Sequence, residues 1–310
     1  MSDLSVVLAG VPFRNPVIAA SGTFGYGSEY AGIVPVRELG GICSKGLTLD
    51  PCPGNSGIRI WETPSGMMNS IGLENPGVQH FVRRELRRMK RLGPVVIANL
   101  SGNDPENYAA AAKILNRSAV DMVELNISCP NVKAGGMAWG TDPDAAASVV
   151  SAVRKALTKK PLMVKLSPNA PDVPAVAAAA VSAGADALSL VNTFQAFAVD
   201  IERACPVFAR GTAGLSGPAV RPLALRVLRD VVLSVPECAP GGSVPVVGVG
   251  GIACWQDAVE FLMTGASAVQ VGAAVFANPC VFREILSGLS RFMDRKGYST
   301  VAALRGAALR

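Results

Sequence analysis

The chain has 310 residues, half of them hydrophobic and 17% charged, with a net charge of +6. That length and apolar content suit one large core, and a closed α/β barrel of this size commonly forms one domain, here expected over residues 1–310. No apolar run is long enough for a bilayer span, and Met1-Ser2-Asp3 lacks the blocks of a secretory signal, so a cytoplasmic protein away from membranes is expected.

Eight short apolar runs follow one another: Val17–Ala20, Gly41–Ser44, Val95–Ala98, Met122–Leu125, Leu162–Lys165, Ala187–Val191, Val246–Val249 and Ala268–Val271. Helical segments are expected between them. Val78–Leu92 is rich in Arg, Leu and Met. Asn107–Asn116 and Asp144–Leu157 are Ala-rich and follow the capping residues Asp104 and Thr141-Asp142. Pro174–Ala183, Pro218–Leu233 and Trp255–Thr264 complete the alternation. Buried strands alternating with helices imply parallel pairing, and eight units imply closure into a (β/α)8 TIM barrel. The competing open sheet calls for a Gly-x-Gly-x-x-Gly turn after the first strand, which this sequence lacks. Residues 47–77 and 193–217 exceed a minimal barrel, and connections of such length are usually lids or binding loops.

Polar residues gather where the strands end. Ser21 follows the first strand, Ser44-Lys45-Gly46 the second, and Asn192-Thr193 the sixth. Asn99, Asn126 and Lys165 close the third, fourth and fifth. In a closed parallel barrel these ends converge on one face, where active sites are built. Loops are polar in any case, which accounts for part of the pattern. Two lysines at the rim of an apolar barrel further require an anionic partner or ligand. Side-chain amides offer both donors and acceptors, which suits a planar heterocycle with alternating C=O and N–H groups. Gly250-Gly251 and Gly272, after the last two strands, permit close backbone approach and fit the phosphate site common to many such barrels. A phosphate joined to a flat polar ring points to flavin mononucleotide (FMN).

Seven cysteines, with no Cys-x-x-Cys, argue against a disulfide framework, zinc site or iron–sulfur site within this chain. Cys129, in Asn126-Ile-Ser-Cys-Pro-Asn131, is expected over the barrel mouth, where a thiol near a lysine is placed for proton transfer. The other six are expected to be buried and inert. His80 is expected to be structural or exposed. Six of the nine residues from Arg83 to Arg91 are basic, but no aromatic interleaving or binding module accompanies them. A solvated helix face is therefore expected, not a nucleic-acid site.

Several segments together resemble class 1 dihydroorotate dehydrogenases, across almost the whole chain. They are Asn15-Pro-Val-Ile-Ala-Ala-Ser-Gly-Thr-Phe-Gly25, Ser44-Lys-Gly-Leu-Thr48, Met68-Asn-Ser-Ile-Gly-Leu-Glu-Asn-Pro-Gly77, Asn126-Ile-Ser-Cys-Pro-Asn-Val-Lys133, Val164-Lys-Leu-Ser-Pro168, Gly214-Leu-Ser-Gly-Pro218 and Gly248-Val-Gly-Gly-Ile252. The Cys129 run is similar to class 1B, the NAD-linked type. The resemblance implies oxidation of dihydroorotate to orotate, with Cys129 taking the C5 proton while hydride passes from C6 to flavin N5. It implies FMN contacts from Ser21, Lys45, Gly46, Asn99, Asn126, Lys165, Val191, Gly217, Gly250, Gly251, Gly272 and Ala273. It implies substrate contacts from Lys45, Asn69, Ser70, Ile71, Gly72, Leu73, Asn126, Asn192 and Thr193. It also implies a homodimeric core and a partner subunit carrying FAD and a [2Fe–2S] cluster, which passes electrons to NAD. The alternatives are another pyrimidine as substrate, or fumarate as acceptor. The chain departs from the family at Ala273-Ala274, where a Thr usually follows Val271-Gly272, and at Trp139, where Phe is common.

Overall fold

The computed structural model describes residues 2–128 and 139–309. Eight parallel strands close into a barrel in chain order. They are β1 (Val17–Ala19), β2 (Gly41–Cys43), β3 (Val95–Leu100), β4 (Met122–Asn126), β5 (Leu162–Lys165), β6 (Ala187–Leu190), β7 (Val246–Val249) and β8 (Ala268–Val271), with β8 returning to β1. Apart from Val95 every residue in them is buried, because helices cover the outside and side chains fill the inside. β3 runs two residues beyond its expected end, since Asn99 and Leu100 still pair with Glu124 and Leu125.

The helices Pro105–Asn116, Pro143–Ala156 and Val173–Ser182 begin at Asp104, Asp142 and Asp172. Each aspartate accepts the backbone N–H three residues on, at 2.8, 2.8 and 3.0 Å, and each helix has proline in its first turn. The segment Val78–Leu92 differs from the single α-helix expected: a π-helical stretch, Phe81–Glu85, interrupts it. The wider turn keeps Phe81 and Leu86, five residues apart, both buried. The expected Pro218–Leu233 helix is a short 3-10 turn, Pro218–Val220, leading into Arg221–Ser234. Val281–Lys296 is a further amphipathic helix outside the expected set. It buries Val281, Ile285, Leu289 and Met293 at four-residue spacing.

One end of the barrel is plugged. Ile18, Ile97, Met122, Met163, Ala187, Val247 and Ala268 fill the interior against Leu8 and Phe13. Those two side chains come from an antiparallel hairpin, Val6–Leu8 with Val11–Phe13. A ligand therefore has the carboxyl ends of the strands as its approach. The two long connections there are not irregular loops. They pair into a four-stranded antiparallel sheet of Phe194–Phe197, Thr212–Ser216, Gly66–Asn69 and Ile60–Thr63. Among the described residues no helix is long and apolar enough to cross a membrane.

Candidate active site at the barrel mouth

Lys165 ends β5 and is 5% exposed. Its Nζ donates to Ser21 Oγ at 3.3 Å, reaching from β5 to the end of β1 on the opposite side of the barrel. That is the ammonium's one hydrogen-bond partner among the described residues, and it is neutral. A buried ammonium carries three donors and needs them met. The unspent donors fit an anionic or carbonyl-bearing ligand.

Asn126 lies opposite Lys165 in the β4–β5 register. Its Oδ1 accepts from Ser128 Oγ at 2.6 Å and from Asn192 Nδ2 at 3.3 Å, and Asn192 Nδ2 also bonds Ser128 Oγ. Three polar side chains from two strand ends thus form one cluster. Ser128 was not among the expected site residues, although it stands between Asn126 and Cys129 in the sequence. Cys129 itself lies outside the described residues.

Asn99 is 1% exposed, and its Nδ2 donates to Glu124 Oε1 at 2.7 Å. A methyl built on Gly46 would come within 3.1 Å of both Asn99 Oδ1 and Leu73 Cδ2, so these three residues converge. Asn69 donates to the Gly214 carbonyl at 3.3 Å, and the Thr193 side chain packs against Gly214, so Asn69 and Thr193 meet through the inserted sheet. The polar groups of Ser70, Ile71 and Gly72 are held by the preceding loop. Asn55 Nδ2 reaches Ser70 Oγ at 2.9 Å, Asn55 N reaches the Ile71 carbonyl at 2.9 Å, and Cys52 Sγ reaches the Gly72 carbonyl at 3.3 Å. Leu73 holds a left-handed φ of 56° at the end of this turn. Lys45 is half-buried. Behind the Arg59 hydrogen bond, its charge helps hold the Glu74 carboxyl below its usual range.

The late glycines gather around β7 and β8. A Cβ on Gly251 would lie 2.8 Å from the Gly217 carbonyl and 2.7 Å from Arg221 N, and one on Gly250 would lie 2.7 Å from Ala224 Cβ. Val220 Cγ2 and Val191 Cγ2 follow around Gly250, at 3.9 and 4.0 Å. Gly272 differs, because a Cβ there would meet nothing nearer than Ala20 Cβ at 3.6 Å. Among the described residues, the backbone N–H groups of Gly250, Gly251, Gly272 and Ala273 donate to no protein acceptor. Free N–H groups at the carboxyl ends of two neighbouring strands form a cradle suited to a phosphate.

Beneath the mouth lies a residue that the sequence pattern left unremarked. Glu124 has no solvent exposure, and Cys43, Asn99, Ser189 and Gln270 all bond it. Burial pushes its carboxyl up, but Lys165 and the bonds from Gln270, Cys43 and Asn99 outweigh burial and leave it lowered. Burial first, and then Glu124, pushes the Cys43 thiol well above its usual value, so Cys43 donates as a neutral S–H. The available signal was parity: Glu124 shares a strand face with Asn126, two residues on.

Of the six cysteines expected to be buried, Cys43 and Cys238 are, Cys52 and Cys254 are half-buried, and two, Cys205 and Cys280, are exposed. Both stand in surface elements, Cys205 in a two-residue strand of an insertion and Cys280 at the start of the last long helix. His80 is half-exposed, 3.8 Å from Glu85. A cleft of about 540 Å³ opens between Leu49–Pro51 and Gln79–Arg84 and contains none of the expected site residues.

Fold and site together define a (β/α)8-barrel protein with polar side chains gathered at the carboxyl ends of its strands. The chain belongs to the dihydroorotate dehydrogenase family, an oxidoreductase family whose model matches residues 3–293. It is 49% identical over 306 residues to the dihydroorotate dehydrogenase B (NAD(+)) catalytic subunit of Petrotoga mobilis, covering 99% of each chain. It is 48% identical to the protein of that name from Pelobacter propionicus, covering 98% of each, and 45% identical to that of Bacteroides thetaiotaomicron, covering 99% of each.

Proposed function

We propose that this chain is the FMN-containing catalytic subunit of an NAD-linked dihydroorotate dehydrogenase, oxidising (S)-dihydroorotate to orotate in pyrimidine biosynthesis. The observation that carries the proposal is Lys165: a buried ammonium at the mouth, spanning to Ser21 with donors to spare, beside the Asn126–Asn192 cluster.

The residues present fit FMN. Gly250, Gly251, Gly272 and Ala273 would hold its phosphate through their N–H groups, with Gly217 and Val191 packed alongside. Ser21, Lys45, Gly46, Asn99, Asn126 and Lys165 would hold the ring and its chain. When bound, FMN supplies the acceptor for the hydride leaving C6 of the substrate. Lys165 places a fixed positive charge where electron density arrives, which is electrostatic stabilisation aimed in advance. The loss of a side-chain hydroxyl at Ala273 leaves the phosphate to backbone donors.

The substrate ring would be oriented by Asn69, Asn126, Asn192 and Thr193, and framed by the turn Ser70 to Leu73. Fixing the ring over one face of the cofactor converts an encounter into a positioned reaction. Lys45 would meet the substrate carboxylate, a charge-assisted contact that separates orotate from uncharged pyrimidines. Cys129 would act as the base that removes the C5 proton.

The name shared by the relatives, a catalytic subunit, supports a second subunit that carries electrons onward. We assign FAD and a [2Fe–2S] cluster to that subunit, NAD as final acceptor, a homodimer of this chain as the core, and the cytoplasm as its location.

The test is Cys129→Ser. Dihydroorotate oxidation at neutral pH falls by roughly 10²–10⁴, the usual contribution of a positioned base, with FMN retained. Unchanged turnover in a variant that still holds FMN removes Cys129 from the mechanism. NAD reduction that proceeds without any added iron–sulfur flavoprotein refutes the partner assignment.

A further inference from the structure

Glu124 sits inside the barrel with four side-chain donors around it. Cys43 Sγ at 3.2 Å and Asn99 Nδ2 at 2.7 Å reach Oε1. Ser189 Oγ at 2.9 Å and Gln270 Nε2 at 2.7 Å reach Oε2. These donors come from β2, β3, β6 and β8, so strands all around the barrel point at one carboxylate. An ionised carboxylate offers about four acceptor sites and no donor. Each oxygen meets an amide N–H that can only donate, from Asn99 at Oε1 and from Gln270 at Oε2, and the carboxylate satisfies both. The surrounding groups therefore select the charged form.

That choice fixes a neighbour. With Nδ2 committed to Glu124, the Asn99 amide has one orientation, and its Oδ1 turns toward Gly46 at the mouth. Two residues beyond Glu124 on the same strand face stands Asn126, which pairs in register with Lys165. Glu124 thus lies directly below the groups expected to meet the ligand ring. The hub spends four polar side chains in a barrel interior where apolar packing would serve stability as well or better.

We propose that Glu124 is a positioning residue of the flavin site: as a carboxylate it holds Asn99 Oδ1 toward the mouth and keeps a permanent negative charge beneath the Lys165 ammonium. This rests on the FMN reading above. The charge opposes electron arrival at the ring and tempers the pull of Lys165, so the poise of the bound flavin depends on both.

The experiment compares wild type, Glu124→Gln and Asn99→Ala, each loaded with FMN and free of substrate, for FMN affinity and flavin midpoint potential. Glutamine has one acceptor oxygen where four donors converge, so the Asn99 amide loses its single orientation. Glu124→Gln is expected to weaken FMN binding about tenfold, the scale of one good hydrogen bond, and to move the midpoint potential to a more positive value. Asn99→Ala, which keeps the charge, is expected to weaken FMN binding to a similar extent with a smaller change in potential. A purely structural hub would lower the melting temperature and leave the potential where it is, and that result overturns the inference. Should Glu124→Gln not fold, unchanged FMN affinity in Asn99→Ala overturns it. A wild-type protein that takes up no FMN sinks the functional reading and this inference together. A yellow wild type whose Glu124→Gln form matches it in affinity and potential sinks the inference alone.

Discussion

Lys165 and Ser21 meet across the barrel mouth, Nζ to Oγ at 3.3 Å, from strands that stand opposite one another in the eight-strand circuit. The contact ties the first strand end to the fifth and leaves the ammonium with donors facing the space between them. Lys165→Ala removes that charge. Flavin reduction by dihydroorotate is expected to slow by roughly 10²–10³, the range seen when one aimed electrostatic donor is lost. Rapid-mixing measurement of flavin bleaching reads it directly, and a rate within a few-fold of wild type would show that the lysine is not aimed at the reacting ring.

The glycines separate folding from binding. Gly251 has a left-handed φ of 76°, and a Cβ there would lie 2.7 Å from Arg221 N. Gly251→Ala is therefore expected to lower stability by about 1–3 kcal/mol even without ligand. A methyl at Gly272 meets nothing nearer than 3.6 Å. Gly272→Ala should leave the melting temperature of the flavin-free protein unchanged and weaken FMN binding. Equal loss of apo stability in both variants would contradict the cradle.

How legible this was depended on which forces act locally. β1 to β8 stand out because parallel strands buried on both faces are short branched apolar runs. The Asp104 and Asp142 caps stand out because capping is a contact over three residues. The inserted sheet does not: Gly66–Asn69 pairs with Thr212–Ser216, nearly 150 residues away, and both segments contain glycine. Glu124, Ser189 and Gln270 were hidden inside runs that look apolar, and their meaning appears only when the barrel closes and brings four strands to one carboxylate. Lys165 and Asn126 were legible because they fall at strand ends, where topology alone predicts convergence.

Phe13 tests the plug at the closed end. It is 1% exposed, packs in the barrel interior with Leu8, and lies 2.8 Å from where a Cβ on Gly41 would stand. Phe13→Ala should cost about 3–5 kcal/mol, with the mouth unaltered in ligand preference. Denaturant unfolding measures it, and a loss below 1 kcal/mol would mean that the interior is filled without the hairpin.

Acid sensitivity follows from Glu124. Its folded carboxyl is lowered from 4.5, because Lys165 and its hydrogen bonds outweigh burial. A lowered carboxyl adds stability that is fully present above the unfolded value and is lost as pH falls through the folded one. The stability gap between wild type and Glu124→Gln should therefore be widest near neutrality and narrow as pH drops below 4.5. A gap that widens on acidification would mean that Glu124 is protonated in the native barrel.

The most direct measurement is anaerobic addition of dihydroorotate to the purified chain loaded with FMN. The visible flavin band should bleach in proportion to substrate, one orotate appearing for each flavin reduced. A protein that binds no FMN, or whose bound flavin stays oxidised in excess dihydroorotate, would contradict the account.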